Sequence, residues 1–325
     1  MNRDLISISA LFLLQVANIT LAAEPVEEDA GALGNLLKTR AAYQNSAKAL
    51  EEQRVAFSEE LTQALLGLGQ TQNALEEYEE AALTFSNLLQ IVRIHRGLNS
   101  PYQLPIIQQL LVSLQAMENW REVDANLHLY FHIAKQNYAV GDKRRLYALE
   151  QLSNWKLNNA LKELTFGFSI SAEEASSLYK KEITQLAAID DYPEKNNHLA
   201  LLYLRQAEIN LTLAAMSLDA PLGKFETGTR PITTEKQCSA VLGPDGRAAW
   251  VCNDIPVPNL NYYLDPALRK NQSIGSYLSD MKESIVNAHI YLQKETNAVE
   301  ERNLLLGLMQ TLTEDYNRFV TDNSL

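Results

Sequence analysis

LTQALLGLGQTQNALEEYEEAALTFSNLLQI, residues 61–91, decides how the rest of this 325-residue chain is read. Leu65, Leu68, Ala81, Phe85 and Leu88 recur at the three- and four-residue steps of a helix buried along one face. Gly69 puts a small residue where two helices must approach, and a second helix follows the Asn73 region at Tyr78. Each helix of such a hairpin carries an apolar stripe that one hairpin cannot bury, so units have to stack. A shift of 42 residues finds the pattern again, as Ile107, Leu110, Leu111, Trp120, Val123, Leu127 and Tyr130. The aromatic that opens the second helix recurs (Tyr78, Trp120), with its acidic neighbour (Glu80, Glu122). A third shift finds Leu149 and Leu152, after which the pattern decays.

These residues resemble the tetratricopeptide repeat (TPR) family, with 61–91 as one full helix–turn–helix unit. The long spacing, with GLNSP at 97–101 between units, is similar to the extended repeats of kinesin-light-chain-like proteins. Two positions depart from the family: Leu111 stands where a small residue is expected, and Gln72 where an aromatic is usual. The resemblance implies an all-α, right-handed helical-repeat (TPR-like) superhelix whose concave face binds a protein or an extended peptide. Carried over by position, that face is lined by Gln63, Leu66, Gln70 and Asn73, then Gln108, Val112 and Gln115, then Glu150, Gln151 and Asn154. None of these positions is basic, which departs from relatives that hold a C-terminal carboxylate. Gln and Asn both donate and accept, which suits a peptide backbone.

Outward from the repeats, at 55–165, the chain divides by composition. Residues 1–23 read as a signal peptide: Arg3 in a polar start, an apolar run from Leu5 to Val16, and small residues at Ala22 and Ala23 before Glu24-Pro25. The run is shorter than the ~20 residues of a membrane-spanning helix. The expectation is export into a bacterial periplasm or beyond. A linker and capping helix fill 24–54, the helix beginning after Gly34. A C-terminal helical region of degenerate repeats fills 166–325, with helices expected near 171–188, 193–217, 273–295 and 297–320. LLLGLMQT at 304–311 echoes LLGLGQT at 65–71. A net charge of −12 argues against nucleic acid and anionic lipid as partners.

Pro221, Pro231, Pro244, Pro256, Pro258 and Pro266 fall in one window, about 219–271, where helical periodicity is lost. The window holds the chain's only two cysteines, Cys238 and Cys252, around the turn signal Gly243-Pro-Asp-Gly-Arg247. Pro244 presets φ for the first turn position and Gly246 supplies a left-handed residue, giving a three-residue hairpin loop. Facing residues then have numbers summing to 490, which places Cys238 opposite Cys252 in a non-hydrogen-bonded pair close enough for a disulfide. Two cysteines are too few for a zinc site, and their spacing is not the CxxC of a redox pair. Closing this loop stabilises the insert by ~3 kcal/mol in the chain-entropy model.

Signatures of catalysis are scarce. Gly67-Leu68-Gly69 lacks the third glycine and preceding strand of a dinucleotide site, and close helix packing explains it. His128 and His132 stand four apart, but no Glu follows the first and no third ligand can be placed. Asp190-Asp191 opens a helix, where the dipole accounts for acids. No serine sits in a nucleophile elbow. The expectation is a non-catalytic scaffold with no cofactor or metal; the alternative is an envelope enzyme or enzyme regulator that uses 219–271 as its site.

Overall fold

A computed structural model describes residues 30–52, 58–162, 168–190, 194–225, 232–242, 248–258, 265–294 and 299–323. The leader at 1–23, the acidic pair's Asp191 and the hairpin tip at 243–247 lie outside these residues. The chain divides into two compact units, the first ending at Asn119 and the second beginning at Trp120. That boundary falls in the turn of the second sequence repeat.

The first unit contains α1 (Ala30–Glu52), α2 (Glu59–Ala74), α3 (Tyr78–Arg96), a 3-10 turn (Pro101–Gln103) and α4 (Leu104–Ala116). Ser58 caps α2: its Oγ accepts from the Leu61 amide at 3.0 Å, and Glu59 and Glu60 occupy the first turn, where carboxylates favour the helix dipole. After α2 the chain reverses through Glu76 in the left-handed region (φ 58°), with the Glu77 amide donating to the Gln72 carbonyl at 2.9 Å. After α4, Glu118 takes the same conformation (φ 54°) and the Asn119 amide donates to the Leu114 carbonyl at 2.9 Å. Both the left-handed residue and its closing bond return 42 positions later, so the two turns are one motif. At the end of α3 the left-handed residue is Gly97 (φ 97°), which meets no steric cost there.

Burial repeats with the same period. Leu61, Ala64, Leu65, Leu68, Gly69, Thr71 and Gln72 are buried on α2, and each has a buried counterpart 42 residues on: Gln103, Ile106, Ile107, Leu110, Leu111, Ser113 and Leu114. The two glycines of α2 admit two different neighbours. A Cβ on Gly69 would come within 2.6 Å of the Phe85 ring of α3, and one on Gly67 within 2.5 Å of the Tyr43 ring of α1. The helix α1 therefore packs against the first repeat, with Arg40 also paired to Glu77. The departure at Leu111 comes with a second change: the counterpart of Phe85 is Leu127, so a side chain is gained on the first helix as a ring is lost from the second.

The second unit contains α5 (Trp120–Asn137), α6 (Lys143–Lys162), α7 (Phe168–Ala187), α8 (Lys195–Asp219), a 3-10 turn (Leu222–Phe225), β1 (Ile232–Leu242), β2 (Ala248–Pro258), α9 (Pro266–Lys294) and α10 (Val299–Asn323). Helix α6 continues the 42-residue register: Arg145, Ala148, Leu149, Leu152, Ser153, Trp155 and Lys156 are all buried at the positions of Gln103 to Leu114. On α7, buried Ala175, Tyr179 and Leu186 match Val123, Leu127 and Ala134 of α5 at a shift of 52, so the third repeat has ten extra residues between its helices. Helix α8 is the centre of this unit. It is buried on most of its circumference, with Leu199, Leu202 and Ile209 in one core with α7 and Leu204, Leu211 and Ala214 in another with α9 and α10. Its enclosed face is not purely apolar, since Asn197, His198, Gln206 and Asn210 are buried on it too.

The window between α8 and α9 forms one antiparallel hairpin, β1–β2, in which every described pair has numbers summing to 490, from Ile232↔Pro258 to Leu242↔Ala248. Cys238 and Cys252 face each other with Cα atoms 4.0 Å apart and are joined by a disulfide. The sequence window was slightly wide: α9 begins at Pro266, whose missing N–H costs nothing in a helix's first turn.

Candidate binding groove

On the first unit, the N-terminal half of α2, the C-terminal half of α3 and the start of α4 enclose an open groove of ≈ 230 Å³. Leu66, Leu88, Ile91, Val92 and Ile106 make its floor apolar, while Glu59, Thr62, Gln63, His95, Arg96 and Tyr102 give it a polar rim. The rim is pre-set. Arg96 lies 4.8 Å above the Tyr102 ring and 3.7 Å from the Glu59 carboxylate. Behind it the fully buried Gln103 carboxamide holds the inter-repeat loop: its Nε2 donates to the Leu98 carbonyl at 2.8 Å, and its Oε1 accepts from Arg93 Nε at 3.0 Å.

The residues expected to line a concave face separate into distinct situations. Gln63 and Leu66 line the groove. Gln70 is exposed further along the same stripe of α2, its counterpart Val112 and the neighbouring Gln115 are exposed on α4, and Gln108 is half-buried beside them. Asn73 is engaged between repeats: its Nδ2 donates to the Gln109 carbonyl at 3.2 Å, and its Oδ1 accepts from Ser113 Oγ at 2.7 Å. In the second unit, Gln151 and Asn154 are half-buried on α6, while Glu150 accepts from Arg205 Nη2 at 2.9 Å.

That last bond belongs to a network the sequence did not disclose. Arg205 also pairs with Glu208 at 3.2 Å, and Tyr179 of α7 lies against the pair. Burial pushes the Glu208 carboxyl up to about 7; Arg205 opposes the shift, and the charges of Glu150 and Asp315 add to it. Arg145 of α6 meets Glu182 of α7 at 2.8 Å, both almost fully enclosed, and donates to Gln185 at 2.7 Å. Lys156 meets Asp124 at 2.9 Å and Glu174 at 3.1 Å, and Trp155 Nε1 donates to the same Asp124 at 2.8 Å. Burial raises Asp124, but its bonds to Lys156 and Trp155 outweigh that and hold it below the usual carboxylate range.

Of the two histidines on α5, His128 belongs to this region. His128 lies 3.7 Å from Asp124, and burial, helped by nearby Lys156, lowers its pKa. Among the described residues no three His, Cys, Asp or Glu side chains converge as a metal-binding group. Also among the described residues, no helix is long and apolar enough to cross a membrane.

No family model matches the chain, and no curated protein matches it. Solved structures do: a kinesin light chain with nearly identical TPR-like repeats from Podosopora anserina is similar at 15% identity and a TM-score of 0.39, covering 57% of this chain and 88% of that one. A single-substitution variant of that protein is similar at 14% identity and the same TM-score, covering 57% and 87%. The fold itself stands on the 42-residue recurrence of buried positions and turns.

Proposed function

We propose that this chain is an exported, non-catalytic scaffold that holds an extended segment of a partner protein on its first unit. The groove at α2, α3 and α4 carries this reading. At ≈ 230 Å³ it is below the roughly 300–1,000 Å³ of sites that enclose a small ligand or cofactor. It suits one apolar side chain entering over Leu66, Ile91 and Ile106 while the rest of the segment stays on the surface. The exposed stripe of Gln70, Val112 and Gln115 continues away from it, with amides able to pair with a backbone in either sense. The disulfide is compatible with an oxidising compartment, which supports export.

A photo-crosslinking side chain at Gln63 tests the proposal in cells making the full chain. The expected result is a discrete adduct to another polypeptide that Leu66→Arg abolishes while the melting temperature of the purified protein stays the same. An adduct that survives Leu66→Arg, or none from Gln63, overturns the groove as the binding site.

A further inference from the structure

The sequence echo between α2 and α10 meets two different surroundings. Aligning Leu305 with Leu65 sets Leu304, Gly307 and Thr311 on Ala64, Gly67 and Thr71. Steps of three and four make each set one stripe of its helix. On α2 the stripe is a filled seat: the Tyr43 ring of α1 lies where a Gly67 Cβ would be, and Ala64 and Thr71 are buried. On α10 the stripe is open. A Cβ on Gly307 would meet nothing within 4 Å, Thr311 is exposed, and Leu304 is 75% exposed where Ala64 is 5%. Among the described residues α10 packs on α8 and α9, and Leu305, Leu312 and Phe319 face them from its other side.

Helix α1 has a stripe to spare. Tyr43 and the buried Ala47 mark the side it turns to α2. Roughly 100° round the helix, Leu33, Leu37, Ala41, Gln44 and Lys48 form a second stripe, and all five are exposed. Stacked arrays stay soluble when their outermost helices turn a polar face outward. Neither the α1 stripe nor the α10 stripe does so.

We infer that the α1 stripe of one copy of this chain occupies the α10 stripe of another, head to tail. Charge selects this pairing over either helix on itself. Lys38, Arg40 and Lys48 precede the first acid of α1, Glu51, whereas α10 sets Glu300, Glu301, Glu314, Asp315 and Asp322 against Arg302 and Arg318. Two α10 helices crossing antiparallel at Gly307 would set Glu300 against Glu314, and crossing parallel would set each acid against its own copy. Two α1 helices would likewise gather cations, and like charges across a contact are repulsive. The seat on α2 supplies the geometry: Tyr43 over Gly67 and Arg40 on Glu77 make that packing antiparallel. Laid the same way with Leu37 over Gly307, the small Ala41 comes beside the large Leu304, Leu33 beside Thr311, and Lys48 one turn from Glu300. The contact is heterologous, so every assembled copy still offers its other stripe. It uses no residue of the groove on the first unit.

Sedimentation of the intact chain tests the inference with two variants that lose different stripes. The wild type should associate as its concentration rises. Leu37→Asp and Leu304→Asp change exposed positions, so each should keep the wild-type melting temperature yet weaken association by about tenfold or more. Mixed in equal amounts, they should recover association as a pair and go no further, because each supplies the stripe the other lacks. A folding defect or a like-on-like contact would not recover in this way. A wild type that stays monomeric, either variant associating as the wild type does, or a mixture no larger than its separate components overturns the inference.

Discussion

Leu61, Gln103 and Arg145 occupy one repeat position, at or just before the start of three successive first helices, and all three are buried. Across that series the first unit gives way to the second, and the means of filling the core changes. Helix α2 presents Leu61 and Gln72 at either end of its buried face; α6, in the second unit, presents Arg145 and Lys156 at the same two places. The first unit is held by shape, with two glycines admitting two rings. The second has apolar cores around α8 and, at these repeat positions, adds the ion pairs Arg145–Glu182 and Lys156–Asp124 between its helices. Position within the repeat thus fixes which side chains are enclosed, while leaving open whether packing or ion pairing satisfies them. Shape tolerates loss of volume gradually; a buried ion pair fails abruptly once one partner is gone.

The largest expected effect tests that asymmetry. Arg145→Met should destabilise the protein by ~3–5 kcal/mol, because it strands Glu182 without a counter-charge. Adding Glu182→Leu should recover most of that loss in chemical denaturation; if the double variant is as unstable as the single, the pair is not what joins α6 to α7. Next comes pH. The Glu208 carboxyl is raised in the folded chain from 4.5 to about 7. Both states are protonated below the unfolded pKa, so the stability it contributes is fully present there and is lost as pH rises from about 4.5 through about 7. The loss is on the order of 3 kcal/mol. Glu208→Gln should flatten the dependence of unfolding free energy on pH across that window.

Substitutions in the first unit should do less and should depend on what moves. Gly69→Ala is expected to cost ~1–3 kcal/mol, because its methyl meets a Phe85 ring with no exposed surface. Gly67→Ala meets Tyr43, which is 37% exposed and able to swing aside, so its loss in thermal melting should be clearly smaller. The smallest effects carry the opposite sign. Glu76→Gly and Glu118→Gly relieve a left-handed residue at equivalent turns, and each should stabilise by ~0.5–1 kcal/mol. Unequal gains would show that the turns match in backbone only.

These contrasts also explain what could be read from the sequence. The first two repeats were legible because their buried positions are mostly apolar, so burial and hydrophobicity carry the same period. The third faded at Leu149 and Leu152 although its burial pattern persists, because Arg145, Ser153 and Lys156 are buried polar groups. The partners of Arg145 and Lys156 lie on other helices. Glu182, Asp124 and Glu174 are not near them in sequence, so no local pattern could disclose the pairs. The hairpin register was legible down to the residue, since one turn signal and a period of two determine every facing pair. The amide stripe was legible as exposed surface but not as a site. Nothing in the spacing tells that Asn73 is bound between repeats while Gln63 borders a groove whose floor comes largely from α3.

The position of the disulfide along the arm has a consequence for covalent continuity. Cys238 and Cys252 clamp the strands partway out, leaving the segment from Ser239 to Val251 as a closed ring of chain beyond the bond. A protease that cuts once inside that ring divides the polypeptide but not the molecule. The two fragments remain one body until a reductant reaches the sulfurs.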